Sequence, residues 1–161
     1  DMKVHHTILD ATIYVYKVMW QVPNAQPAPY CHEELAAKIT AAAHRAGIPI
    51  STGTDADTDW DKPLPSTFDE IDLLVKSAGF TPMQAINAAT LVGARTVGQE
   101  KNFGSLEAGK RANILFVSAD PLTDIDNLRS VVLTVKDSQE FWRNKYTPIT
   151  RDEAKNELSN Q

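Results

Sequence analysis

Gly47-Ile-Pro-Ile-Ser-Thr-Gly-Thr-Asp55-Ala56 is the stretch whose reading decides the fold. A glycine stops what precedes it and a short β-branched run follows. A second glycine then turns the chain, so that one carboxylate, Asp55, stands just beyond the strand end. Upstream, residues 33–46 place Leu35, Ile39, Ala42, Ala43 and Ala46 on one stripe, predicting a helix that Gly47 ends. The Pro-rich residues 22–30 read as a loop. Residues 7–16, Thr-Ile-Leu-Asp-Ala-Thr-Ile-Tyr-Val-Tyr, are β-branched and aromatic with apolar side chains on both alternations. That suits a strand covered on both faces, and so a parallel sheet. Strand, loop, helix and a second strand over residues 48–51 make one βαβ unit.

Two capped helices follow. Thr67 with Glu70 fits a capping box ahead of the stripe Ile71, Leu74, Val75 and Ala78, which Gly79 stops. Thr81, with Pro82 at the first helical position and Gln84 three residues on, opens a second helix running to about Gly98. Beyond Asn102 the texture changes to short strands and turns: residues 111–117, a turn at Ala119-Asp120-Pro121, residues 131–135, and Asp137-Ser138 joining to Glu140-Phe141-Trp142. This is β-sandwich material. The pattern of residues 150–158 predicts one weakly amphipathic helix, with Thr150 and Glu153 as its cap. There is no internal repeat and no low-complexity segment.

With 161 residues, 42% of them hydrophobic, the chain has room for one domain and material for its core. Its net charge of −5, from 16 basic and 21 acidic residues, leaves no basic stripe with interleaved aromatics, so nucleic acid is not an expected partner. No apolar run approaches the roughly 18 residues of a membrane span, so no membrane partner is expected either. The chain begins at Asp1 rather than Met, which leaves localisation open. Cys31 is the single cysteine, so neither an internal disulfide nor a cysteine-cluster zinc site is available. Its neighbour His32 does not make it a ligand pair, because adjacent residues seldom aim at one metal.

The spaced acids Asp55, Asp57, Asp59 and Asp61 imitate the opening of a calcium-binding EF-hand loop. The sixth position, however, is Trp60 where the sharp turn requires glycine, and the twelfth is Ser66 where a bidentate glutamate belongs. A strand rather than a helix also leads in. A solvated loop over a strand mouth, touching substrate through Trp60, accounts for the segment better.

Three motifs in order, residues 47–56, Thr81-Pro82-Met83-Gln84-Ala85-Ile86-Asn87-Ala88-Ala89-Thr90 and Gly104-Ser105-Leu106-Glu107-Ala108-Gly109-Lys110-Arg111-Ala112-Asn113, resemble the closing third of the metal-dependent amidohydrolases. The likeness runs from about Thr7 to about Arg143 and is closest to the imidazolonepropionase-like and prolidase-like branch. It implies an α/β fold: the C-terminal portion of a (β/α)8 TIM barrel plus part of a small composite β-sandwich domain. Residues 1–100 would be the last βα units of the barrel, 101–146 the sandwich part and 147–161 a tail. Three positions depart from the family pattern: Asn113 stands where Asp is usual, Ser138 where Gly is usual, and Phe68 where many relatives carry His before the Glu matched by Glu70.

In this family the metal is held by a His-x-His pair after the first barrel strand, by ligands after the middle strands, and by an Asp after the eighth. The resemblance makes Asp55 that last ligand and gives it a second role, taking a proton from the attacking water and passing it to the leaving nitrogen. The cofactor implied is zinc, one or two ions in the full-length enzyme and not retained by this chain alone. None of the histidines matches a ligand motif: His5 and His6 precede the first strand, at the bottom face of a barrel, and His32 and His44 belong to a helix or its entry. The implied activity is hydrolysis of amide or cyclic amide C–N bonds in a small molecule, with this chain inactive by itself. The alternative is a catalytically silent barrel piece acting as a structural or interaction domain. Open strand edges predict self-association or element swapping of the isolated chain.

Overall fold

A computed structural model describes residues 1–21, 24, 26, 28, 30–55, 64–147, 152 and 153. The loop acids Asp57, Asp59 and Asp61, Trp60 and most of the Pro-rich loop lie outside the described residues. So does the tail helix, apart from residues 152 and 153, which are helical.

Two short strands, β1 (Leu9–Ala11) and β2 (Ile50–Thr52), pair in parallel with Leu9 opposite Ile50, Asp10 opposite Ser51 and Ala11 opposite Thr52. This parallel neighbour relation is the one expected of a βαβ unit, with helix α2 (Glu33–Arg45) as the crossover. The first strand is far shorter than its β-branched composition suggests. After Ala11 the chain turns into helix α1 (Ile13–Val18), so Tyr14 and Tyr16 are helical rather than extended. A run that is apolar at nearly every position fits either element, and here a tertiary bond decides. The free N–H groups of Ile13 and Tyr14, which Thr12 does not cap, are taken up by the side chain of Glu70.

The stripe expected on α2 is also corrected. Ala37 and Thr40 are its buried residues, whereas Leu35 and Ile39 are 41% and 56% exposed. The helix lies on the core through the small side chains Ala36, Ala37, Ala41 and Ala43, which permit close approach and turn the larger residues outward. Gly47, at φ +77, ends it.

Helix α3 (Thr67–Lys76) buries Ile71, Leu73 and Leu74, which meet Ala78, Phe80, Ile13, Tyr14 and Ile50 in one core. Its start is not the expected capping box. Ser66 is the capping position and makes no side-chain bond, Thr67 already lies inside the helix, and Glu70 points into the core. The second box is present as expected: the Gln84 N–H donates to Thr81 Oγ1 at 3.3 Å and the Thr81 N–H to Gln84 Oε1 at 2.9 Å, with Pro82 opening α4 (Pro82–Asn87). A π-helical turn (Ala88–Val92) and α5 (Gly93–Thr96) continue the same rod. Gly104, at φ +99, lies so close to this rod that a Cβ there would sit 2.6 Å from Ala94 Cβ and 3.0 Å from the Thr90 carbonyl oxygen. Any other residue would push the turn off the helix.

The remaining strands, β3 (Ile114–Val117), β4 (Val131–Lys136) and β5 (Gln139–Trp142), form an antiparallel meander. Asp137 (φ +49) and Ser138 (φ +68) make the tight turn between the last two, both in the left-handed region that a two-residue hairpin needs. Asn113 has a use here, its Oδ1 accepting the Asp137 N–H at 3.2 Å. A 3₁₀ turn (Ile125–Arg129) precedes β4 and buries Ile125 in the same core as α3. Lys76 of α3 also reaches Asp126 at 2.7 Å, and Asp69 of α3 meets Arg129 at 2.7 Å. No described helix is long and apolar enough to cross a membrane.

Candidate active site

The C-terminal ends of β1 and β2 lie side by side, and each polar group there is set by a residue of the other strand. Asp10 and Ser51 are register partners and share a face; the Ser51 hydroxyl donates to Asp10 Oδ1 at 2.6 Å. Ser51 is almost fully buried and Asp10 is exposed, so the hydroxyl supports the carboxylate from beneath. One step on, the Gly53 N–H donates to the Ala11 carbonyl at 2.9 Å, extending the ladder past the end of β2. Gly53 is required at this point: a Cβ would lie 2.3 Å from Asp10 Oδ2. Two residues later comes Asp55, exposed and at φ +47. A non-glycine residue held in the left-handed region carries roughly 1–2 kcal/mol of strain, and aspartate is among the side chains that tolerate it best.

Asp55 therefore stands where the sequence placed it, at the mouth of the second parallel strand. It makes no hydrogen bond or ion pair with another described residue. His5 and His6 lie in the turn before β1, at the opposite end of the strands, and His32 and His44 lie at the start and in the last turn of α2. His44 stacks on Phe80 with ring centroids 3.9 Å apart, a packing role. Among the described residues no three His, Cys, Asp or Glu side chains converge as a metal site. Asp55 offers one exposed carboxylate oxygen donor there, and the described part of the chain does not form a complete metal site.

Glu70 is the residue that sequence reasoning assigned to the wrong place. It is fully buried, and its two oxygens accept the N–H groups of Ile13 (3.1 Å) and Tyr14 (2.7 Å). Burial pushes its carboxyl up to about 7, against the pull of the two N–H bonds, and the nearby Asp10 charge adds to the rise. The signal was helical phase: Glu70 lies one turn before Leu73 and Leu74, on the apolar stripe rather than at the solvated helix entry. Phe68 is half-buried beside Arg129, whose guanidinium carbon lies 5.9 Å from the ring centre.

Comparison with known proteins bears on what this geometry belongs to. Ochratoxinase of Aspergillus niger is 34% identical over 84 residues, which are 52% of this chain and 16% of that protein. Its crystal structure superposes with a TM-score of 0.73 at 25% identity, covering 94% of this chain and 36% of the other. A Xaa-Pro dipeptidase solved with methionine in its active site gives a TM-score of 0.72 at 25% identity, covering 88% and 36% respectively. The chain thus spans about a sixth of the curated relative and about a third of each solved structure, and its α/β architecture corresponds to part of a larger barrel fold. The model of the Amidohydrolase family matches residues 12–140, from the turn after β1 into the β4–β5 hairpin. That match spans most of the chain and is decisive: the chain belongs to the amidohydrolase family.

Proposed function

We propose that this chain forms the closing strands of a metal-dependent amidohydrolase that cleaves an amide or cyclic amide C–N bond in a small molecule. The observation that carries the reading is Asp55, an exposed carboxylate at the C-terminal ends of two parallel strands, the end at which barrel enzymes bind and transform substrates. The names of the relatives, an ochratoxinase and a Xaa-Pro dipeptidase, support hydrolysis of a small molecule.

In this reading Asp55 has two tasks. As an oxygen donor it joins ligands from the rest of the protein to hold zinc, one ion or two. When bound by the complete set, zinc supplies Lewis-acid activation and lowers the pKa of water to about 7. As a base, Asp55 accepts a proton from the attacking water as the new C–O bond forms; as an acid, it returns that proton to the departing nitrogen as the C–N bond breaks. The Asp10–Ser51 and Gly53–Ala11 contacts hold the strand end that carries Asp55.

The test compares two proteins, this chain alone and the full-length protein. Elemental analysis is paired with hydrolysis assays on N-acyl amino acids, dipeptides ending in proline, and cyclic amides. The expected outcome is stoichiometric zinc and turnover in the full-length protein and neither in this chain, because one carboxylate cannot replace the several ligands that hold a catalytic metal. Zinc-dependent turnover by this chain alone would overturn the assignment.

The isolated chain is also proposed to self-associate. Among the described residues β1 and β2 form a two-stranded sheet with no further strand on either edge, and Leu115, Phe116, Phe141 and Trp142 of the meander are exposed. Light scattering at tens of micromolar is expected to show species larger than a monomer; a strictly monomeric chain would contradict this.

A further inference from the structure

Resting on the reading of Asp55 as the catalytic carboxylate, we propose that Glu70 is a positioning residue that fixes the strand end carrying Asp55. It does so by clamping the turn after β1, to which that strand end is hydrogen bonded.

Three contacts carry the argument in sequence. Glu70 is firmly placed: it lies in the first turn of α3, fully buried, flanked by Ile71, Leu73 and Leu74 of the core. Its carboxylate holds the N–H groups of both Ile13 and Tyr14, so the chain direction leaving β1 is fixed by a residue 56 and 57 positions away. A bidentate acceptor constrains orientation as well as distance. The clamped turn then meets the other strand at two points. The Ala11 carbonyl, two residues before Ile13, receives the Gly53 N–H at 2.9 Å, and Asp10, bonded to Ser51, leaves Gly53 no space for a side chain. Gly53 is two residues from Asp55. A displacement of the β1 exit therefore passes to the Gly53–Asp55 segment through one backbone bond and one close contact.

A buried carboxylate is an expensive way to cap a six-residue helix. Its desolvation is unfavourable, and an asparagine or serine at the Thr12 position could cap locally. What the distant acid adds is a tie between α3 and the strand mouth, which a local cap does not provide.

The experiment uses the full-length protein with Glu70→Gln, and with Glu70→Asp should the first variant not fold. Glutamine keeps the shape but offers one acceptor oxygen and turns its amide N–H₂ toward the other backbone N–H. Aspartate keeps the charge and falls short of reaching both. Hydrogen exchange resolved to single amides is expected to speed up at Ile13, Tyr14 and also Gly53, while the β4 amides of Thr134 and Val135 keep wild-type rates. In hydrolysis assays kcat is expected to fall about tenfold with KM unchanged, the cost of a small misplacement of a reacting group. In an Asp55→Asn background Glu70→Gln is expected to cost nothing further, because its effect passes through Asp55. Wild-type protection at Gly53 alongside faster exchange at Ile13 and Tyr14 would overturn the proposal, as would a full tenfold loss in the Asp55→Asn background. If Asp55→Asn alone proved fully active, the reading of Asp55 as the catalytic carboxylate would fall, and the Gly53 exchange rate would still decide whether Glu70 holds that strand end.

Discussion

The strand mouth at β1 and β2 and the β3–β4–β5 meander are both small sheets, yet they are held in opposite ways. In the meander, strands next to each other in the chain pair, and the β4–β5 turn is made by two adjacent residues, Asp137 and Ser138. At the mouth every defining contact is long-range: Asp10 with Ser51, Ala11 with Gly53, and Ile13 and Tyr14 with Glu70. Local structure repeats a sequence pattern, whereas the mouth depends on side chains brought in from distant segments. The proposed chemistry sits in the second kind of place, where several elements converge on one reacting group.

Core substitutions sharpen the contrast most. Leu74 is fully buried beneath the mouth and Phe116 of the meander is 46% exposed. Leu74→Ala is expected to cost about 2–5 kcal/mol and Phe116→Ala under about 1 kcal/mol by urea denaturation. Equal costs would mean that the meander is as tightly packed as the mouth.

The second effect is pH-dependent and belongs to the mouth alone. Glu70 is raised from 4.5 to about 7 in the folded protein, so the folded state holds its proton more tightly than the unfolded state. The contribution is fully present below pH 4.5 and is lost as pH rises towards 7, by roughly 3 kcal/mol for a shift of 7 − 4.5 = 2.5 units. Glu70→Gln should flatten this part of the stability profile. A wild-type profile that rises through the same window would contradict it, unless the lowered carboxyls dominate. Asp126 is held down by Lys76, Glu34 by Lys38, and Glu107 by the Ser105 hydroxyl and then Lys110; their stabilisation is lost on acidification instead. Measuring Glu70→Gln minus wild type removes those shared contributions.

Gly53→Ala breaks the mouth from the opposite strand. The added Cβ must displace Asp10 from Ser51, at an expected cost of about 1–3 kcal/mol, and Asp10→Ala should relieve most of it. The smallest effect is in the meander. Ser138→Gly removes the strain of a left-handed serine and should stabilise by up to about 1 kcal/mol, visible as a small rise in the urea midpoint.

What could be read in the sequence follows the same division. The hairpin turn, the Thr81–Gln84 cap and the α3 stripe are written in neighbouring residues, and they stand where they were expected. The parallel pairing and the position of Asp55 were legible because glycines mark both ends of the short β2 run. Residues 13–16 were misread as strand because their apolar run carries no period of its own, and the group that makes them helical is Glu70, far along the chain. Glu70 was misread for the complementary reason: Thr67 three residues before it imitates a local partner. The outward turn of Leu35 and Ile39 was hidden because alanines on the other face of α2 form the close contact.

The central claim is that the carboxylate of Asp55 does chemistry at this mouth. Asp55→Asn in the full-length protein keeps the side chain's shape and removes its ability to take a proton. The measurement is kcat on the best substrate of the amide panel, with zinc content and folding checked alongside. The account predicts a fall of at least about 10²-fold in a folded protein. A folded Asp55→Asn enzyme with wild-type kcat would contradict it.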